Sequence, residues 1–106
     1  QLRYWKGEPN PELFRKVVCL FLEQMSHLLR ELLQATEQGD NKAAAEISHT
    51  LKSSSGTVGA DGLMSLCKKI ELSCEQGQMD TDLICSIQDV CKDVESALKR
   101  ELDMFV

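Results

Sequence analysis

The chain has 106 residues, 42% hydrophobic and 27% charged, the size and balance of one domain around one core rather than a disordered tail. Its net charge of −5, with acids in every helical segment, argues against nucleic acid, which needs a basic face for its phosphates. The longest apolar run, VVCLFL, stops at Glu23 and falls well short of the roughly 20 residues that span a bilayer, so no membrane contact is expected.

Residues 1–10, QLRYWKGEPN, hold most of the turn chemistry and read as an N-terminal arm, with 11–106 as the domain. Tyr4 and Trp5 are expected to fold back onto that domain, because a small core gains from burying large rings. A start at Gln1 with no secretory signal suggests a piece of a longer chain.

From Pro11 the apolar residues take up a helical period. Asn10 suits the N-cap, Pro11 the first helical position and Glu12 the positive end of the dipole. Leu13, Phe14, Val17, Val18, Phe21, Leu22, Met25, Leu28, Leu29, Leu32 and Leu33 fill the i, i+3, i+4, i+7 template to about Gln38. That is long for a globular helix, so a kink or break is expected near 22–25, and Gly39 ends the element.

Asp40 caps a second helix that runs to about Ser55, and Gly56 and Gly59 bracket the connection after it. A third helix is expected over about 60–76, with Leu63, Leu66, Cys67, Ile70 and Cys74 as its stripe and Gly77 at its end. Asp80 or Asp82 caps a fourth, which carries Leu83, Ile84, Ile87, Val90, Cys91, Val94, Leu98, Leu102 and Phe105. Short connections favour antiparallel neighbours, so the fold expected is an all-α antiparallel four-helix bundle with an N-terminal extension.

The five cysteines are odd in number and include no C-x-x-C pair, which speaks against a disulfide framework or a zinc site. They read as free thiols packing as small apolar residues in a reducing cytoplasm, with no metal bound.

The chemistry concentrates in SHTLKSSSGTVGA, residues 48–60. On a wheel with His49 at zero, Ala44, Ile47, Leu51, Ser54 and Val58 fall within about 40° of the opposite pole and form a core stripe. Lys42, Ala45, Glu46, Lys52, Ser53 and Gly56 fall within about 60° of His49, which therefore points away from the core. An exposed histidine is often only a solvated one. Here, however, Ala45, Ser53 and Gly56 clear space where a solvent face usually carries long side chains, as if another surface must approach. Lys52, one turn on, can reach an anion built on the ring, and neutral imidazole is a competent nucleophile. Phosphorylation of His49 is the modification these residues fit best. His27, among Glu23, Arg30, Glu31 and Gln34, reads as an ordinary surface histidine.

SHTLKSSSGTVGADGLMSLCKKIE, residues 48–71, resembles the signature of histidine-containing phosphotransfer (HPt) domains, such as those of bacterial hybrid sensor histidine kinases. His49, Leu51, Lys52, Ser54, Ser55, Val58 and Gly59 fall on the family's pattern positions, and Glu71 on one where it often has an acid. The resemblance covers about 11–76 and departs at Ser53, where the family commonly has glycine. A chemotaxis-kinase phosphotransfer domain shares the bundle and ranks below it.

What the resemblance implies is a phosphorelay intermediate in two-component signalling. His49 Nε2 would accept a phosphoryl group from a receiver-domain aspartate and pass it to a response regulator, with Lys52 neutralising charge. Lys42, Ala45, Glu46, Ser53 and Gly56 would form the docking patch. No cofactor is expected here, the Mg²⁺ belonging to the partner receiver domain. Lacking a glycine-rich ATP loop, the domain is not an enzyme on its own and would sit in a larger histidine kinase, in the cytoplasm. The alternative is a non-catalytic helical module that binds a receiver domain or an enzyme through the same face without phosphotransfer; a thiol or metal site ranks third.

Overall fold

A computed structural model describes residues 11–103; the arm at 1–10, the Asn10 cap and Phe105 lie outside the described residues. Four helices follow one another, α1 (Pro11–Glu37), α2 (Asn41–Thr57), α3 (Asp61–Glu75) and α4 (Thr81–Asp103). Each packs on the next, and α4 closes the ring against α1, which makes the antiparallel four-helix bundle expected.

The helix boundaries have local causes. Asp40 Oδ1 accepts the Ala43 N–H at 3.0 Å, and Asp80 Oδ1 accepts the N–H groups of Asp82 and Leu83, so Asp80 rather than Asp82 caps α4. α2 runs through Gly56 to Thr57 before it ends, two residues beyond the expected Ser55. Its stop is Gly59 at φ +74°, where Ala60 N–H reaches back to Ser55 O at 2.9 Å and Gly59 N–H to Gly56 O at 3.2 Å. That pair of bonds is a Schellman turn, and the left-handed backbone it needs is open to glycine at little cost.

The break expected near 22–25 does not occur, and α1 is unbroken over 27 residues. No glycine or proline follows Pro11 within it, and Phe14, Val18, Phe21, Met25, Leu28, Leu32 and Ala35 supply a buried stripe along its whole length. Leu13, placed in that stripe by period alone, is exposed, as is Leu20. Opposite them the core is filled by Leu51 and Val58 of α2, Leu63, Cys67 and Ile70 of α3, and Ile84, Ile87, Cys91 and Leu98 of α4. No described helix is long and apolar enough to cross a membrane.

The thiols divide. Cys67, Cys74 and Cys91 are buried in the core, whereas Cys19 and Cys85 are exposed and do not serve as packing residues. Burial foremost pushes Cys67 up to about 12 and Cys91 up to about 11, so both stay protonated at neutral pH.

Candidate functional site

The core-facing side of α2 is rotated from the one that apolar residues alone suggest. Ala44, Ala45, Ser48, Leu51, Ser55 and Val58 are buried, while Ile47 and Ser54 are only half-buried. Small residues on one flank let α3 come close, and this swings the buried side toward α3 by about 60°. His49 is then at the edge of the α2–α3 seam rather than opposite the core.

That position gives it a partner. His49 Nδ1 is 2.8 Å from Glu71 Oε2 on α3, and the other carboxylate oxygen, Oε1, accepts from Lys52 Nζ at 2.7 Å. The imidazole is 59% exposed, the Lys52 side chain 27% and that of Glu71 only 11%. Lys52 is thus not the free cation of the exposed face that its position on the wheel suggests. It is half-buried and tied to Glu71.

The Lys52 hydrogen bond above all, helped by the one from His49 and by both charges, holds the Glu71 carboxyl below its ordinary value of 4.5 against the opposing effect of burial. Glu71 is therefore ionised at neutral pH. An ionised carboxylate only accepts, so the proton shared with His49 belongs to Nδ1. In the neutral ring this leaves the lone pair on Nε2, the nitrogen away from the seam. The arrangement can present a nucleophilic nitrogen to a partner and stabilise positive charge that develops on the ring.

The other expected site residues separate. Lys42 and Glu46 are exposed on the turns before His49, and Ser53 is exposed one turn after it. Ala45 is buried and does not clear space for a partner. Gly56 is half-buried, and a Cβ there would come within 3.1 Å of Met64 Sδ on α3. Both are small because helices pack over them, and only Ser53 keeps the open position inferred for all three. Glu71 was absent from the expected site residues, although the acid at its position in the resemblance was the available signal.

A second feature flanks α2 on the α1 side. An open cleft of about 450 Å³ lies between Val17, Leu20 and Phe21 of α1 and Ser54, Thr57 and Val58 of α2. Its walls are mainly apolar, and Ser54 Oγ donates to Gln24 Oε1 across it at 2.7 Å. It holds no titratable group and offers contact area rather than chemistry.

Comparison with known proteins bears on the family and the fold. The profile of the Hpt domain family matches residues 16–104. The chain is 30% identical over 82 residues to histidine-containing phosphotransfer protein 1 of Arabidopsis thaliana, an alignment covering 76% of this chain and 53% of that protein. It is 27% identical over 108 residues to histidine-containing phosphotransfer protein 5 of the same plant, covering 99% and 68% respectively. The chain thus spans between about half and two thirds of the length of these relatives. The crystal structure of histidine-containing phosphotransfer protein B (HptB) from Pseudomonas aeruginosa PAO1 superposes with a TM-score of 0.80 at 27% identity, over 83% of this chain and 78% of that one.

Proposed function

The chain belongs to the Hpt domain family, and from that premise we propose that it is a phosphorelay intermediate which carries a phosphoryl group on His49 Nε2. The observation that carries this reading is a buried carboxylate, Glu71, shared by His49 Nδ1 and Lys52 Nζ. It fixes the tautomer that attacks and anchors the cation that meets the incoming charge.

The step balances without a base. The Nε2 lone pair forms the N–P bond as the P–O bond to a receiver-domain aspartate breaks, and the aspartate leaves as a carboxylate. The Nδ1 proton stays where it is, so the ring becomes a phosphorylated imidazolium whose positive charge faces Glu71. Transfer onward to a response regulator is the reverse of this step. Lys52 has three donor hydrogens, so it can keep Glu71 and still donate to a phosphoryl oxygen. The Mg²⁺ that the acyl phosphate requires belongs to the receiver domain.

Docking uses the exposed face around the ring. Lys42, Glu46 and Ser53 border His49, and the apolar cleft beside Leu20 and Thr57 adds area that a receiver domain can cover. The relatives are named as histidine-containing phosphotransfer proteins, which supports a carrier role for this domain.

Incubation with a phosphorylated receiver domain and Mg²⁺ tests the reading. Acid-labile, alkali-stable label appears on the parent chain and none on His49→Gln. Equal labelling of the two would place the phosphoryl group elsewhere.

A further inference from the structure

His49, Lys52 and Glu71 together carry no net charge while the ring is neutral, since one cation balances one carboxylate. A phosphoryl group arriving there brings close to two negative charges. If His49 is the acceptor, as proposed above, the group needs positive charge beyond what Lys52 supplies.

α3 offers one such group. Two of the places where α3 meets α2 are Met64 at Gly56 and Glu71 at His49. Lys68 comes four residues after Met64 and three before Glu71, which puts it on the same side of α3. The helices run antiparallel, so those two contacts set Lys68 across the seam from Lys52, about one turn along from His49. It is exposed on the outer edge of that ridge, as His49 is on the outer edge of α2. Among the described residues its ammonium has no ion pair or hydrogen bond, so its charge is uncommitted. Lys69 is rotated a further 100° or so around α3, away from the seam.

We propose that Lys68 is a second phosphoryl-binding cation of this site, closing from α3 onto the group carried by His49 while Lys52 holds it from α2. Lys52 is positioned in advance by Glu71. Lys68 is recruited by the charge itself, its four-carbon stem spanning an interhelical gap of about 8–10 Å together with the imidazole. It acts as the N–P bond forms, whatever group leaves phosphorus.

Phosphoramidate, a donor that needs no partner protein, tests this. His49 Nε2 attacks phosphorus, the donor's P–N bond breaks and ammonia leaves. At low salt Lys68→Ala should phosphorylate about three to five times more slowly than the parent. Lys68→Arg should recover most of the rate, and Lys69→Ala should match the parent. The Lys68→Ala deficit should shrink in about 0.5 M salt, as expected for an exposed charge. Thermal melts of the three variants should coincide with the parent, since both lysines are exposed. A Lys68→Ala rate equal to that of Lys69→Ala overturns the proposal, and so does a deficit that arginine does not repair. A parent chain that takes no label, or a His49→Gln variant labelled like the parent, overturns instead the reading of His49 on which it rests.

Discussion

The molecule holds two histidines that are alike by simple measures. His27 on α1 is 62% exposed and His49 on α2 is 59% exposed, and each has a glutamate for a neighbour. The difference is in the glutamates. Glu31 sits one turn along the same helix, is itself 47% exposed and stays 3.5 Å from His27 Nε2. Glu71 comes from another helix, is almost enclosed, binds His49 Nδ1 at 2.8 Å and is held from its other side by Lys52. An exposed i, i+4 pair is screened and mobile, and contributes little. A carboxylate fixed by tertiary packing sets the tautomer of the ring it touches. What separates the two histidines is the burial of the partner, not the exposure of the ring.

The largest effect should come from removing the rings. His49→Gln should lose all phosphoryl label, while His27→Gln should be labelled as the parent is. Next come the two acids. Glu71→Ala frees the tautomer and leaves Lys52 unpaired, and should slow phosphorylation about tenfold, a loss near that of one charge-assisted hydrogen bond. Glu31→Ala should leave the rate unchanged. Lys52→Ala should slow transfer by a few-fold with the helical signal intact, because the side chain lies at the edge of the core.

The smallest effect is one of stability against pH. The folded-state value of Glu71 is depressed, so its contribution is present above the ordinary carboxylate value of 4.5 and is lost as pH falls through the folded one. Urea melts should show the parent more stable than Glu71→Gln by about 1 kcal/mol from neutral pH down to about 5, with the gap closing below that. A gap that widens in acid would mean that the carboxylate is not the stabilised form.

Much of this was legible in the sequence. Asp40 and Gly39 mark the first connection, Gly59 the second, and Gly77 with Asp80 the third, because capping and left-handed turns are local chemistry. The motif around His49 points to the ring that the structure seats against Glu71. The unbroken α1 was missed because length alone suggested a break, whereas the continuous stripe from Phe14 to Ala35 carries the helix through. The orientation of α2 was missed for a related reason. A wheel weighted by apolar residues overlooks Ala45, Ser48 and Ser55, whose small size is what draws α3 close. Glu71 is 22 residues from His49 and 19 from Lys52, so no local pattern joins them. Only the packing of α3 on α2 makes the three a site.

The central claim is that Glu71 holds the proton on His49 Nδ1 and leaves Nε2 to carry the phosphoryl group. Long-range ¹H–¹⁵N NMR of the imidazole, before and after phosphorylation, tests it most directly. The account predicts an Nδ1–H tautomer in the neutral ring and phosphorus bonded to Nε2 of His49. A proton on Nε2 in the free domain, or phosphorus on Nδ1, would contradict it.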